Sequence, residues 1–259
     1  MNYASSLDTI GKGQSHLLYP WKQKGLIVYD TIDKVPNDCI LVVPHFAPWW
    51  EPLKSYIQSG KRYIEIEYGY WGIGDTRSKP RRVTYNNFHN VNYNKFTTDR
   101  TTLFRQPEIL PYKNNPNGDV LVILPHRKTC WLRTGLKLGH YEKQLTTKIR
   151  KFYSGNLKFR YKPKGSNGRW ETFLEELTDI KAVIGERTVA CAEANLLGIP
   201  AYAIDHSITT LLTGKVKNIN NITFPDRSKW FQHICHSQFL VEEFQTTIPA
   251  DITEIYQIL

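Results

Sequence analysis

The sequence predicts an α/β protein made of two lobes, each a mostly parallel sheet with flanking helices. Short runs rich in Val, Ile and Leu alternate along the chain with segments of helical spacing. The chain has 259 residues, of which 41% are hydrophobic, which is enough for a sizeable core. A polar stretch at 105–118, containing NNPNGD, separates two series of such runs. We therefore expect an N-terminal lobe over 1–115 and a C-terminal lobe over 116–259.

The first half is predicted to hold three strands and one helix. Residues 26–29 form the first candidate strand. Residues 39–43 are apolar throughout, as a strand buried on both faces should be. A short helix is expected over 50–58, and 62–67 alternates as a third strand does. Residues 73–117 are polar with little periodicity, so we expect loops and short helices there.

The second half shows a regular alternation of strands and helices. Gly198 fits the position just past a helix end, and Pro200 stops that helix. Strands separated by helices in this way form parallel sheets with covered faces. The predicted strands are 119–124, 158–161, 181–184 and 201–204, and the predicted helices are 141–153, 170–177, 187–197 and 230–244.

Charge and cysteine usage limit the class of protein. The formal net charge is +10, and the isoelectric point is about 9.3, a balance that favours polyanionic partners. The four cysteines form no CxxC pair, which argues against a zinc site or a redox motif. The N-terminus has no secretory pattern, and no apolar window is long enough to span a membrane. We expect a soluble, reduced, cytoplasmic protein with no membrane partner.

Polar side chains follow six of the predicted strands. Ligands of open α/β sheets bind beyond the carboxyl ends of the strands, so these residues are the first candidates for a site. One or two such placements would mean little, because loops are polar in any case. The six groups are His45, Glu67, the run 126–128, Lys162 with Lys164, Glu186 with Arg187, and Asp205 with His206.

The segment around 184–188 is predicted to pass from a strand through a tight turn into a helix. Thr188 can cap that helix, and the exposed amides of its first turn favour an anion. Arg160, Lys162 and Arg187 would add positive charge for a diphosphate. His126, Arg127 and His206, at other strand ends, are further candidates for contact with a phosphate or a donor sugar.

Glu193 lies one and a half turns into the same helix, among small residues. A carboxylate at this place can accept hydrogen bonds from two vicinal hydroxyls, as on a ribose. The alternative is that Glu186 and Arg187 only pair with each other and that Glu193 faces solvent.

The passage GERTVACAEANLLGIPAYAID resembles the nucleotide-sugar-binding half of GT-B-type glycosyltransferases. The resemblance rests on Glu193-Ala194 followed by Gly198-Ile199-Pro200, and it covers residues 119–206. It implies a compact GT-B-like fold of two Rossmann-like lobes with a cleft between them and a C-terminal helix that returns to the first lobe. It also implies that Glu193 holds the ribose and that the turn from Glu186 to Thr188 contacts the diphosphate. A nucleotide-sugar donor, with a UDP-sugar expected, would bind without a metal, because no DxD motif is present.

Among such enzymes, the DNA-glucosylating enzymes of bacteriophages have a similar two-lobed plan and a basic cleft. The compact size and the charge of +10 favour that subgroup. The expected acceptor is then a modified base in double-stranded DNA, and the expected location is the cytoplasm, that of the host if the protein is viral. We expect a monomer.

Three alternatives to this function stay open. The acceptor of the transferase could be a polysaccharide or a small molecule. The protein could also be a non-enzymatic nucleic-acid-binding protein, or another α/β enzyme of phosphate chemistry. The last class has no GxxxxGK[ST] loop and no GxSxG elbow to support it.

The first lobe is expected to supply the catalytic base and the acceptor site. Glu67, at a strand end, is the first candidate for the base, followed by His45 and Asp75. A packed, hydrogen-bonded histidine is the alternative for His45.

Aromatic and polar side chains of the first lobe are candidates for acceptor contact. Aromatic rings can stack on a base or a sugar, and Arg and Asn suit contacts to phosphates and base edges. The alternatives are core packing for the rings and a solvated loop for the polar residues. The candidates are Trp49, Trp50, Tyr70, Trp71, Arg81, Arg82, Asn86 and Asn87.

Overall fold

The computed structural model describes residues 2–7, 10, 15–44, 50–69, 80–86, 100–103, 109–161, 169–186, 188–204 and 208–246. The chain forms two compact units, of which the first holds residues 1–106 and 228–259 and the second holds 107–227. The chain therefore passes from the first unit to the second between Gln106 and Pro107, and it returns to the first unit between Arg227 and Ser228. The roles of the two units as acceptor-side and donor-side lobes stay predictions, as does the cleft.

The first unit is built on a six-stranded sheet in the order β10-β5-β4-β3-β1-β2. Strands β1 to β4 run parallel, and β5 and β10 are antiparallel to their neighbours. The strands are β1 Tyr3–Ser6, β2 Ile27–Tyr29, β3 Ile40–Pro44, β4 Tyr63–Tyr68, β5 Arg81–Tyr85 and β10 Gln238–Phe239. The helices of this unit are α1 Tyr19–Lys22, α2 Trp50–Gln58, α7 Ser228–His236 and α8 Glu243–Thr246.

The two faces of the first sheet differ in polarity. Alternate strand residues point to opposite faces, and one face packs apolar side chains against Trp21 of α1 and Phe244 of α8. The opposite face carries two polar cross-strand rows. One row pairs Glu65 with Thr84, and the next places Arg82 between Glu67 and Gln238. Four of these five residues are buried, and Glu67 is half-buried.

Three strands of the first sheet were not predicted from the sequence. Strand β1 has the sequence YASS, in which small polar residues hide the buried pattern, although all four residues are buried. Strand β5 was expected to be loop, because its arginines mask the apolar alternation of Val83 and Tyr85. The helix predicted over 230–244 is confirmed up to His236, where α7 ends, and is wrong beyond it, because β10 pairs with β5 directly after α7.

The second unit contains a four-stranded, fully parallel sheet in the order β7-β6-β8-β9. The predicted strands and helices over 119–204 are confirmed, with ends shifted by up to three residues, whereas the helix at Arg127–Thr134 was not predicted. The strands are β6 Asp119–Ile123, β7 Leu157–Arg160, β8 Ile180–Gly185 and β9 Ala201–Ala203, and the helices are α3 Arg127–Thr134, α4 Leu138–Arg150, α5 Arg169–Glu176 and α6 Val189–Leu196.

Helices cover both faces of the second sheet, so the mixed α/β class with parallel sheets and flanking helices is confirmed. One face packs against α3 and α4, with Leu145 and Ile149 in the core. The other packs against α5 and α6 through Phe173, Cys191 and Ala194. Phe152 lies past the end of α4 and is 40% exposed. Among the described residues, no helix combines the length and apolar character that crossing a bilayer requires.

Candidate functional site

The register of the second sheet brings its carboxyl ends to one edge. Arg160 of β7 pairs with Ile123 of β6, Ile123 with Gly185 of β8, and Gly185 with Ala203 of β9. The four strands therefore end at the same level. The polar residues that follow them in sequence leave the sheet at this carboxyl edge, as ligand-binding residues of parallel sheets do.

A tight turn joins β8 to α6 at this edge. A Cβ atom on Gly185 would lie 2.5 Å from Cys191 Sγ and 2.8 Å from Thr188 Cγ2, so only glycine lets the helix start this close to the strand. Thr188 has an extended backbone, and its hydroxyl accepts the Ala190 N–H at 3.3 Å. The predicted cap is confirmed, and the first turn of α6 is fixed at the edge.

The far end of α6 is anchored equally firmly. Gly198 has a φ of +85°, its N–H donates to Asn195 O at 3.3 Å, and the Ile199 N–H donates to Ala194 O at 2.8 Å. These two hydrogen bonds together form a Schellman motif, which confirms the predicted glycine cap. The buried Arg227 guanidinium also donates to Asn195 O at 2.6 Å, where a cation complements the negative end of the helix dipole.

Glu186, directly after β8, is held by a residue of α4. The Tyr141 hydroxyl donates a hydrogen bond to Glu186 Oε2. Burial raises the pKa of Cys130, and the negative charge of Glu186 raises it further, which places Glu186 near that thiol. The sequence did not reveal this role of Tyr141, because a buried tyrosine at helical spacing with Leu145 and Ile149 indicates only core packing.

Glu193 lies on α6 and is 8% exposed. The alternative in which this side chain faces solvent is therefore wrong. The neighbouring positions Ala192 and Ala194 are fully buried. The ribose contact that the resemblance implies for Glu193 stays a prediction.

Arg160, the last residue of β7, is directed towards α5. Its guanidinium forms an ion pair with Glu176 and lies 4.8 Å from the centre of the Phe173 ring. The side chain is 8% exposed. Arg160 therefore contributes to the packing of α5 on the sheet, and its contact with a diphosphate stays a prediction.

His126 and Arg127 follow β6 and lie at the start of α3. Both residues are exposed, and the His126 carbonyl accepts the Cys130 N–H at 2.8 Å as the first bond of the helix. Among the predicted donor-binding residues that the structure describes, these two offer the most accessible side chains. Their contact with a donor stays a prediction.

The candidate residues of the first unit that are described make contacts within the fold. Arg82 forms an ion pair with Glu67, and the side chains of the two are 10% and 18% exposed. The Asn86 side-chain oxygen accepts the Tyr63 N–H at 2.8 Å, and Arg81 donates to Pro80 O at 3.3 Å. The assigned roles of these residues in catalysis and acceptor binding stay predictions.

The other predicted site residues lie outside the described part of the chain. Trp50 begins α2, but its side chain also lies outside the described part of the chain. Within the described ranges, no group of three or more His, Cys, Asp or Glu side chains is arranged to hold a metal ion. The residues outside are His45, Trp49, Tyr70, Trp71, Asp75, Asn87, Lys162, Arg187 and His206.

Comparisons with known proteins yield distant structural likenesses. No protein-family model and no curated protein sequence matches the chain. The KpsC β-Kdo 2,4-transferase of Thermosulfurimonas dismutans aligns with a TM-score of 0.45 and 10% identity over 92% of this chain and 90% of that chain. The KpsC β-Kdo 2,7-transferase of the same organism aligns with a TM-score of 0.49 and 8% identity over 95% and 98%. Likeness at this level does not transfer an activity to this chain.

Proposed function

We propose that this protein is a glycosyltransferase that binds a nucleotide-sugar donor at the carboxyl edge of the second sheet. The observation that supports this most strongly is the shared end of β6, β7 and β8, from which α3 and α6 begin. The first-turn amides and the positive dipole end of each helix favour an anion such as phosphate. Arg127, exposed at the start of α3, adds a full positive charge.

The mixture of charges at this edge fits a ligand that carries both phosphates and hydroxyls. A site for a simple phosphate gains nothing from a carboxylate, which repels the anion. Glu186 lies at the same edge, held by Tyr141, and a carboxylate accepts hydrogen bonds from sugar hydroxyls. Glu193, on α6, is the proposed ribose contact, and a UDP-sugar is the donor to test first.

The proposed reaction is a displacement at the anomeric carbon of the donor sugar. The acceptor hydroxyl oxygen forms a bond to that carbon while the bond from the carbon to the phosphate oxygen breaks. The nucleotide leaves with the electron pair, and its growing negative charge is stabilised by Arg127 and the helix amides. The hydroxyl proton passes to a general base.

For the acceptor, we propose a saccharide hydroxyl rather than a modified DNA base. Two of the residues predicted to contact DNA are engaged within the first unit, since Arg82 pairs with Glu67 and Asn86 bonds to the Tyr63 amide. Their side chains are thereby drawn away from phosphate and base contacts. The choice between saccharide and DNA is an outcome of the experiment below.

Donor binding is tested by a thermal-shift screen against nucleoside monophosphate and diphosphate sugars. A donor at 100 times its dissociation constant should raise the free energy of unfolding by about 2.7 kcal/mol. The donor that binds is then incubated with saccharide acceptors or with duplex DNA, and the products are identified by mass. Sugar transfer to a saccharide supports the proposal. Transfer to duplex DNA overturns the saccharide assignment but keeps the transferase. The absence of a thermal shift with every nucleotide sugar overturns the proposed transferase itself.

A further inference from the structure

Tyr161, which directly follows β7, is an exposed aromatic side chain that is held in place. The residue is 51% exposed, and its hydroxyl donates to the Glu142 carboxylate of α4 at 2.6 Å. This hydrogen bond raises the pKa of Tyr161, so the phenol keeps its proton at neutral pH and remains a donor. Because the bond fixes the far end of the side chain, the ring loses little further freedom when a ligand packs on it.

The register of the second sheet places Tyr161 level with Glu186. Arg160 of β7 and Gly185 of β8 pair with the same residue of β6. Tyr161 and Glu186 come directly after them and therefore lie at one level of the carboxyl edge. The Leu124 N–H donates to Arg160 O at 2.9 Å, which holds β6 and β7 together up to this level. With β6 between them, the two backbones are about 10 Å apart.

Tyr161 lies on the side of the sheet that α4 covers. Side chains alternate between the two faces of a strand, and Phe159, two residues earlier, packs in the core on the α4 side. Adjacent residues of α4 then reach both strand ends. Glu142 accepts the hydrogen bond from Tyr161. Tyr141 donates one to Glu186. The carboxyl edge therefore carries two tyrosine–glutamate hydrogen bonds, joined through the first half of α4.

We infer that Tyr161 and Glu142 form a subsite for a sugar ring at the end of β7. The tyrosine ring stacks on a face of the sugar, and the carboxylate accepts hydrogen bonds from its hydroxyls. The inference deepens the proposed function and rests on it. A sugar ring carries C–H groups on its faces and hydroxyls at its rim, so an aromatic face beside a carboxylate matches both. A carboxylate has about four acceptor positions, of which the Tyr161 hydroxyl takes one.

The charge at this subsite favours hydroxyls over phosphates. The charged group that contacts Tyr161 is a carboxylate, which repels an anion. Arg127, the exposed cation proposed for the phosphates, follows the neighbouring strand β6, about 5 Å away in the sheet. The sugar ring can belong to the donor or to the acceptor saccharide, because both present the same hydroxyl-bearing ring. The two sources are separated by experiment.

The test compares full-length wild type and Tyr161→Ala by isothermal titration calorimetry. The probes are the nucleotide sugar with the largest thermal shift and the same nucleotide without its sugar. If the donor sugar occupies the subsite, Tyr161→Ala should bind the nucleotide sugar about tenfold more weakly, as expected for the loss of about 60 Å² of apolar contact. It should bind the sugar-free nucleotide as the wild type does. If the acceptor occupies the subsite, both affinities should stay unchanged, and the dissociation constant of the acceptor saccharide, measured by NMR titration, should rise about tenfold.

Two matched variants separate stacking from a general loss of surface rings. Tyr161→Phe keeps the ring without the bond to Glu142 and should bind the sugar probe within about threefold of the wild type. Phe224→Ala removes a ring of similar exposure in the same unit, packed 5.1 Å from the centre of the Tyr112 ring, and should bind as the wild type does. The melting temperature of Tyr161→Ala should match that of the wild type, since the side chain is exposed.

The outcomes distinguish this subsite from the proposed transferase. If Tyr161→Ala changes neither nucleotide-sugar nor saccharide binding, or weakens the sugar-free nucleotide equally, the subsite is overturned while the transferase stands. If no nucleotide sugar binds the wild type, the transferase fails, and saccharide binding decides the subsite alone. Absence of saccharide binding would then overturn the subsite as well.

Discussion

The two sheets differ in where they place their charged side chains. The first sheet carries charge within its strands, where Arg82 pairs with Glu67 and Glu65 is 1% exposed. In the second sheet, the central strands β6 and β8 are apolar beyond their first two residues, and the candidate site residues come where strands end. Charge inside a sheet must be matched by neighbouring strands and so becomes part of the fold. Charge at a strand end has no partner imposed by a neighbouring strand: Arg160 pairs with Glu176 of α5, whereas Arg127 is exposed and available for a ligand.

The largest effect is expected from a substitution that breaks a buried charge network of the first unit. Arg100 donates to Glu243 Oε1 at 2.6 Å and Oε2 at 2.8 Å, and to Gln238 O at 2.9 Å. Arg100→Leu leaves the Glu243 carboxylate, 16% exposed, without this cation. The free energy of unfolding, measured by urea denaturation, should fall by about 3–5 kcal/mol.

Two other ion pairs serve as controls for Arg100. Arg160→Leu, in the second unit, removes a cation that is 8% exposed but leaves Glu176, 36% exposed, able to be hydrated, so its loss should lie between those of the other two variants. Lys34→Leu breaks the exposed pair with Asp30. Loss of an exposed pair changes stability by about 0–1 kcal/mol. Equal losses in Arg100→Leu and Lys34→Leu would contradict the distinction between buried charge and solvated charge within the first unit.

The next effect tests how tightly the end of α6 is fixed in the second unit. A Cβ on Gly198 would lie 2.1 Å from the Pro111 carbonyl oxygen, at a φ of +85°. Gly198→Ala should therefore lower the free energy of unfolding by about 2–4 kcal/mol, from backbone strain and overpacking together. In Gly139→Ala, the new methyl meets no atom within 4 Å, and this α4 variant should instead be stabilised by roughly 0.5 kcal/mol. The same sign for both variants would be inconsistent with this ending of the helix.

The contrast between the sheets also explains what the sequence could and could not predict. The strands of the second sheet are largely apolar runs between helices, so their positions along the chain and their parallel direction follow from the pattern. Strands β1 and β5 hold polar residues whose partners lie on neighbouring strands, since Ser5 donates to Val42 O and Arg82 pairs with Glu67. No local pattern shows these partners. At the site, Thr188 and Gly198 act locally and were predicted, whereas the bond from Tyr141 to Glu186 joins residues 45 positions apart.

The cap of α6 gives a smaller effect. Thr188→Ala removes the acceptor of the Ala190 N–H and should lower the free energy of unfolding by about 1 kcal/mol. Thr188→Ser keeps the hydroxyl and should stay within a few tenths of a kcal/mol of the wild type. If alanine and serine behave alike in urea denaturation, the hydroxyl does not cap the helix.

The buried Cys191 thiol makes the stability of the second unit depend on pH. Burial raises the pKa of Cys191 from 9.0 to about 12. Because the folded pKa lies above the unfolded one, the thiol stabilises the fold fully below pH 9 and progressively less as the pH rises towards 12. Between these limits, the stability of Cys191→Ala should fall less steeply than that of the wild type, by about 1 kcal/mol per pH unit. Parallel pH profiles would show that this thiol ionises equally easily in both states.

The most direct test of the donor site compares the donor affinity of two variants by isothermal titration calorimetry. His126→Ala/Arg127→Ala removes exposed side chains at the carboxyl edge of the second sheet, and Lys143→Ala removes an exposed cation from the same unit on α4. Charge-assisted hydrogen bonds contribute about 1.5–3 kcal/mol each, so the double variant should bind the nucleotide sugar at least tenfold more weakly. Lys143→Ala should bind as the wild type does. Equal affinity in both variants and the wild type would contradict a donor site at this edge.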